Sequence, residues 1–190
     1  MQLRKNLEDV KNSYSKEEIV SAIDITVNSI AEFYASIPEE FFFTTPKDGW
    51  APEKNVRHLT KSTLPIYLGM KGPKFALLIF GTNKNKSQNM EAVINLYLSK
   101  LSQGAGVGIF EPFTPSAKGN KEKKEKLISS LKESGMNLKN VLDSWSEEEL
   151  DSYKMPHPIL GNITVREMNL FAIYHFFHHT NNVLERMKQV

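Results

Sequence analysis

Two histidines that stand four residues apart, His175 and His179, have the type and spacing of metal ligands on a helix. Residues four apart on an α-helix project from the same face, so two imidazoles placed in this way can bind one metal ion. The pair continues an apolar row formed by Met168, Phe171 and Ala172, which predicts that both rings face the interior. Buried polar groups need partners, and a metal ion would satisfy both rings, although this spacing also occurs on helices that bind no metal.

A third ligand must come from elsewhere in the chain. The chain has five histidines and no cysteine, which excludes thiolate ligands, disulfides, iron–sulfur clusters and catalysis by a protein thiol. His58 is the leading candidate, although the residues on its own helical face are polar and place it at the edge of the apolar side. His157 lies in a loop between two prolines, where it could cover a site but is more typical of a turn. His178 projects about 100° around the helix from His179, so we expect it to face another helix or solvent.

Four long helices are predicted to position these residues. Capping boxes, in which Ser or Thr is followed three residues later by Glu, mark the start of the first helix at Ser15 and of the last at Thr164. Pro52 suits the first turn of the second helix, and Pro65 inside that helix predicts a kink or an early stop. The third helix is expected from about Lys121 to Trp145. Together they predict an all-α fold, an antiparallel four-helix bundle with a long crossover between helices 2 and 3.

The crossover, residues 71–120, has the least regular pattern. Phe75 to Phe80 could form a short helix, and Met90 to Leu101 has the spacing of a longer one. The glycines from Gly104 to Gly108 predict a hinge or turn, because no strand precedes them and no Lys-Ser or Lys-Thr pair follows, as a phosphate-binding loop would require. Lys154 to Asn162 is expected to be a loop, and no β-strand is predicted.

Length and composition limit the class of protein. A chain of 190 residues, 40% hydrophobic and 24% charged, predicts one folded domain over residues 1–190. A net charge of +2 gives no electrostatic reason to expect a nucleic acid partner. The longest apolar run is far shorter than a membrane span, and the charged N-terminal segment lacks the apolar stretch of a secretory signal. We therefore expect a cytoplasmic protein with no membrane partner.

Two parts of the chain resemble motifs of the DinB-like family. Residues 50–59, Trp-Ala-Pro-Glu-Lys-Asn-Val-Arg-His-Leu, resemble the start of the second helix in that family, with Ala51 where Ser or Thr is common. Residues 157–167, His-Pro-Ile-Leu-Gly-Asn-Ile-Thr-Val-Arg-Glu, and the two histidines four apart beyond them resemble its closing segment and last helix. The resemblance implies a four-helix bundle, often a homodimer, with a divalent metal ion that is commonly zinc or nickel. Carried to this chain, it implies the ligands His58, His175 and His179.

Three histidine ligands leave a fourth position open, which is the pattern of a catalytic rather than a structural zinc site. That position can bind water or a thiol, and the resemblance implies both metal-dependent hydrolases and enzymes that use a low-molecular-weight thiol. We favour thiol S-transfer to a small-molecule substrate, because a chain without cysteine must take its sulfur nucleophile from a cofactor. The alternatives are a hydrolase at the same site and a non-catalytic metal-binding bundle with a binding or stress-related role. Asp48, Glu53 and Glu167 could orient a ligand histidine through its second ring nitrogen, although the two glutamates also suit helix N-termini.

Overall fold

Eight α-helices, two 3₁₀ helices and one β-hairpin are described in the computed structural model, which covers residues 2–104 and 119–187. The α-helices are α1 (Gln2–Val10), α2 (Lys16–Ser36), α3 (Glu39–Phe42), α4 (Pro52–Lys71), α5 (Met90–Ser102), α6 (Lys121–Val141), α7 (Glu147–Ser152) and α8 (Val165–Met187). The 3₁₀ helices are Lys74–Phe80 and Leu142–Ser144, and the strands are β1 (Lys154–His157) and β2 (Gly161–Thr164).

The four predicted long helices are α2, α4, α6 and α8, and the all-α fold is confirmed. Helices α2 and α4 each pack against both α6 and α8. The antiparallel order of an exact bundle and the single-domain organisation stay predictions. None of the helices within the described ranges has the length and apolar character needed to cross a membrane.

The predicted capping boxes form at both helix starts. In the first, Ser15 Oγ accepts from Glu18 N at 3.3 Å, and Ser15 N donates to the Glu18 carboxylate at 2.9 Å. In the second, Thr164 Oγ1 accepts from Glu167 N at 3.1 Å, and Thr164 N donates to the Glu167 carboxylate at 2.9 Å. Each pair satisfies backbone donors that the first helical turn leaves open, so α2 and α8 begin where the sequence predicts.

Two predicted helix ends differ from the structure. Helix α4 continues past Pro65 to Lys71, so the early stop is wrong. Pro65 is exposed, while the next residue, Ile66, is buried and packs the helix against the core. The backbone hydrogen bond that proline cannot donate is therefore missing on the solvent-facing side of the helix. Helix α6 is α-helical to Val141 and continues directly as the 3₁₀ helix Leu142–Ser144, so only its last turn differs from the prediction. The helical run ends close to the predicted position, at Trp145, which adopts an extended backbone and donates its indole N–H to the Met70 carbonyl at 3.2 Å.

The prediction of a loop from Lys154 to Asn162 is also wrong, because this segment contains most of a β-hairpin. Strands β1 and β2 pair antiparallel, with Lys154 opposite Thr164 and His157 opposite Gly161. Each strand has four residues, which is too short for an alternating apolar pattern to be visible in the sequence. Gly161 has φ +76°, a left-handed conformation that glycine adopts without strain, and this allows the tight turn.

Arg166 fixes the start of α8, the helix that carries two of the candidate ligands. Its side chain is buried, with Nε donating to Asp151 at 2.6 Å and the terminal nitrogens donating to the Glu147 carboxylate and the Tyr14 carbonyl, each at 2.6 Å. The guanidinium therefore joins α8 to α7 and to the segment before α2 through charge-assisted hydrogen bonds.

The crossover contains the two predicted helices, Lys74–Phe80 as a 3₁₀ helix and α5. The predicted hinge from Gly104 to Gly108 lies outside the described residues beyond Gly104.

Candidate metal centre

Three histidine rings from two helices meet between α4 and α8. His58 projects from α4, and His175 and His179 project from one face of α8. The ring centroids are 4.4 to 5.0 Å apart, and one nitrogen of each ring lies within 4.8 Å of the others. His58 is 1% exposed and the other two rings are 7% exposed, so the cluster is buried.

The expected position of His58 at an exposed edge of its helix is wrong. The face that looks polar in sequence, with Asn55 and Ser62 beside His58, turns toward α8 and is partly or fully buried. Its polar side chains have partners on α8 or in its own helix, which is why burial there is tolerated.

Asn55 sets the protonation of His179. The Asn55 amide nitrogen donates to the backbone carbonyls of Ala51 at 2.9 Å and Trp50 at 3.3 Å, so its oxygen is the atom that faces His179 Nδ1, 3.0 Å away. An amide oxygen can only accept, so Nδ1 carries the ring proton. In the neutral ring, the lone pair is then on Nε2, the nitrogen a metal would bind.

The lone pair of His179 is buried without a partner. Among the described residues, none forms a hydrogen bond with His179 Nε2. The Nε2 atoms of His58 and His175 lie 3.1 Å apart, near the roughly 3.3 Å expected for two nitrogens that bind one tetrahedral zinc ion at about 2.0–2.1 Å. A buried acceptor without a donor is costly, and a divalent cation between the three rings would satisfy it, so these residues fit the metal that the resemblance implies.

The electrostatic environment keeps the two rings of α8 neutral. Burial lowers the pKa of His175 and of His179 well below 6.5, and the neighbouring histidines lower both further. Only a neutral imidazole can bind a metal, so these two rings are in the required state near neutral pH.

Trp50 closes one side of the cluster. Its ring stacks on His179 with centroids 5.7 Å apart and planes at 19°, and meets His58 edge-on at 5.2 Å. Trp50 therefore packs against two of the clustered histidines and shields them from that side.

A cavity of about 230 Å³ opens on another side of the cluster. His58 and His175 form part of its wall, and apolar residues of α4, α8 and the hairpin form most of the rest. The described residues that line it include no Asp, Glu, Lys or Arg; they are His58, Ser62, Thr63, Pro65, Ile66, Gly69, Leu77, Phe80, Tyr97, Met155, Pro156, His157, Pro158, Ile159, Met168, Phe171, Ala172 and His175.

The two remaining histidines lie outside the cluster, as the sequence suggested. His157 closes β1 and its ring nitrogen accepts hydrogen bonds in the turn, which agrees with its interpretation as a turn histidine. His178 lies beside Tyr174 and Tyr97 of α5 and meets the His179 ring edge-on at 5.4 Å, so it borders the cluster without belonging to the group of possible ligands.

The predicted orienting carboxylates have other partners or positions. Glu53 pairs with Arg57, Glu167 belongs to the capping box of α8, and Asp48 is exposed. The residue that orients His179 is Asn55, which sequence reasoning missed. Its position three residues before His58 places both on one helical face, and that spacing was the available signal.

Comparison with known proteins agrees with these motifs. The family model of the DinB superfamily matches residues 15–183, a range that includes the three clustered histidines. No curated protein and no solved structure matches the chain.

Proposed function

Because this chain belongs to the DinB superfamily, we propose that His58, His175 and His179 bind one divalent metal ion, zinc or nickel, and that the protein is a metal-dependent enzyme. The observation that carries the metal proposal is the lone pair of His179 Nε2, buried among the described residues without a donor and directed away from Asn55. The group of possible ligands found among the described residues contains three histidines and no carboxylate, which supports an open fourth position.

An ion held in this way supplies Lewis acidity, which lowers the pKa of a thiol or a water molecule at the open position toward neutrality. The protein's own contribution is to keep the ligand rings neutral, to fix the tautomer of His179 through Asn55, and to shield the cluster with Trp50.

The cavity beside the cluster supports an enzyme over a structural metal site. A structural ion would be enclosed by four protein ligands, whereas two of these three histidines face a space of about 230 Å³. An engineered cavity of about 150 Å³ binds benzene, so this one has room for a small organic substrate.

The chemistry of the cavity wall favours a thiol nucleophile over water. A free thiol has a pKa of about 8.5 and ionises near neutral pH after a modest shift, without a general base. Hydrolysis usually needs a group that accepts and returns a proton. The described lining residues include no carboxylate, and His157, the lining histidine outside the cluster, has its Nδ1 occupied by two backbone N–H groups. We therefore propose transfer of a low-molecular-weight thiol to a small-molecule substrate, with hydrolysis as the second candidate.

Metal content tests the first part of the proposal. Protein purified without a histidine tag is expected to contain about one zinc or nickel ion per chain, and His175→Ala to lose it. His178→Ala is the matched control, because it removes a neighbouring histidine of α8 that lies outside the cluster. Metal content far below one ion per chain in the wild type, or equal loss in both variants, would refute the metal site.

A substrate screen tests the reaction. Metal-loaded protein is expected to speed the reaction of at least one low-molecular-weight thiol with small electrophiles, and His175→Ala to abolish this. Turnover of esters or amides with every thiol inert would favour the hydrolase, and a metal-loaded protein inert in both screens would favour the non-catalytic bundle.

A homodimer is a further proposal, supported by apolar side chains on the Lys74–Phe80 helix. Phe75, Leu78 and Ile79 are 50% to 81% exposed there, and clustered exposed apolar residues often mark contacts between proteins. Light scattering should give twice the chain mass, and Ile79→Asp should shift the mass toward the monomer; a monomeric wild type would refute this proposal.

A further inference from the structure

His157 has a fixed tautomer because of the hairpin turn. Its Nδ1 accepts hydrogen bonds from the backbone N–H groups of Ile159 at 3.1 Å and Leu160 at 2.9 Å. Two donors directed at one ring nitrogen require a lone pair there, so the proton of the neutral ring is on Nε2. This arrangement is the opposite of His179, whose proton is on Nδ1.

The ring of His157 belongs to the cavity wall. The ring lines the cavity and packs against Phe171 and Tyr97, with centroids 4.3 Å and 6.5 Å away. Within residues 2–104 and 119–187, no side chain or carbonyl accepts a hydrogen bond from its Nε2–H. Burial lowers the pKa of His157 to about 4, so the ring stays neutral near pH 7 and keeps this N–H.

The other polar groups on the wall are engaged differently. The hydroxyl groups of Ser62 and Thr63 both donate to the Leu59 carbonyl, at 3.1 Å and 2.7 Å, and can therefore only accept from a ligand. The Tyr97 hydroxyl is a second neutral donor on the wall, since burial raises its pKa to about 12. Apart from the proposed metal ion at His58 and His175, the described wall carries no charged group, so its remaining surface provides no partner for an ionic ligand.

We propose that the cavity binds an uncharged, mainly apolar molecule of about one aromatic ring, and that His157 Nε2–H donates a hydrogen bond to one acceptor atom of it. The size follows from the 230 Å³ volume, which corresponds to roughly nine or ten non-hydrogen atoms when scaled from benzene in an engineered cavity. The inference rests on the proposed function for what happens to the bound molecule, but binding itself does not require the metal. His157 is thus a specificity-determining residue, distinct from the three proposed ligands.

The tautomer can be read directly in the wild-type protein. A long-range ¹H–¹⁵N NMR correlation of the histidine rings near neutral pH is expected to show the His157 proton on Nε2 and a lone pair on Nδ1. A proton on Nδ1 would overturn the proposal without any variant being needed.

Binding is tested with two probes of nearly identical shape, acetophenone and α-methylstyrene, in which a C=O group is replaced by C=CH₂. The titrations follow the methyl groups of Met155 and Met168, which line the cavity, in metal-free protein. His157→Asn is the informative variant, because an Asn side-chain oxygen can accept from the same backbone N–H groups and preserve the turn. We expect it to bind acetophenone about five- to tenfold more weakly and α-methylstyrene with unchanged affinity.

Three results would overturn the proposal: neither probe binds the wild type, His157→Asn weakens both probes equally, or Tyr97→Phe alone removes the acetophenone contribution. The last result would assign recognition to Tyr97. Because these titrations use metal-free protein, their failure is separate from failure of the metal site, which the metal content of the wild type and His175→Ala measures independently.

Discussion

Mild acid should destabilise this protein through His157, and the size of the effect follows from its pKa. Burial lowers that pKa from 6.5 to about 4 in the folded chain. Protonation on Nδ1 would also break the two hydrogen bonds from Ile159 and Leu160, so the folded state resists the proton that the unfolded chain accepts. The contribution of His157 to the free energy of unfolding is therefore fully present above about pH 6.5 and is lost as the pH falls toward 4.

The expected loss at an intermediate pH can be worked out from the two pKa values. At about pH 5, protonation of this ring in the unfolded chain raises the unfolding equilibrium constant by a factor of about 30, which lowers the free energy of unfolding by about 2 kcal/mol. At about pH 7 the same effect is about 0.2 kcal/mol. Other histidines contribute to the acid destabilisation in the same direction, since burial also lowers the pKa of His175, His178 and His179. The effect of His157 must therefore be isolated by comparison with a variant.

Urea unfolding of metal-free wild type and His157→Asn at both pH values provides that comparison. Because Asn does not titrate, the free energy of unfolding of the wild type should fall by about 2 kcal/mol more than that of the variant between about pH 7 and pH 5. Any constant cost of the substitution cancels in this difference. A pH dependence that is equal in the two proteins, within about 0.5 kcal/mol, would show that His157 titrates normally and would refute the fixed, buried ring.

Three further predictions concern the cluster and the helix packing. Zinc at about 100 times its dissociation constant should stabilise the wild type by about 2.7 kcal/mol, a rise in Tm of roughly 5–10 °C in a thermal melt, and should leave His58→Ala unchanged. Asn55→Leu removes the acceptor for His179 Nδ1 and should weaken zinc binding about 10- to 100-fold in calorimetry. Asn55→Asp keeps an acceptor and should not weaken zinc binding. Equal affinities for wild type and Asn55→Leu would contradict the orienting role of Asn55. Gly135→Ala places a Cβ 2.3 Å from Val27 Cγ2, so the free energy of unfolding in urea should fall by about 1 kcal/mol despite the better helix propensity of Ala. Adding Val27→Ala should lower this free energy by less than the sum of the two single effects, because the clash is then removed. Full additivity of the two substitutions would contradict the clash.

The features predictable from sequence were those determined by neighbouring residues. The capping boxes at Ser15 and Thr164 involve atoms three residues apart, and His175 and His179 share a face because of helix geometry alone. For the same reason the long helices and the histidine pair could be predicted. The hydrogen bond from the Trp145 indole to the Met70 carbonyl of α4 could not, since it joins residues far apart in sequence.

The burial of His58 depended on contacts that no local pattern shows. Its helical face carries Asn55 and Ser62, and periodicity treats polar residues as solvent-facing. In the fold, the face lies against α8, where Asn55 has a histidine as its partner. A polar face can therefore be buried when its partner is also polar, and such a pairing is visible only in three dimensions. His58 was the leading candidate for a third ligand, but periodicity did not place it with the other two histidines, whereas the family resemblance implied all three as ligands.

The opposite tautomers of His179 and His157 explain why residues of one type have different roles beside one cavity. The Nδ1–H of His179 donates a hydrogen bond to the Asn55 oxygen, which leaves a lone pair on Nε2 inside the cluster. His157 accepts two backbone N–H groups at Nδ1, so its Nε2 keeps the proton. To bind a metal through Nε2, His157 would have to lose that proton or move it to Nδ1 and break both hydrogen bonds, a cost of about 1 kcal/mol or more for each. The hairpin turn thus keeps the His157 proton on Nε2, and Asn55 leaves the His179 lone pair on Nε2 for the proposed metal ion. The difference follows from the partner that the surrounding structure gives to Nδ1 of each ring.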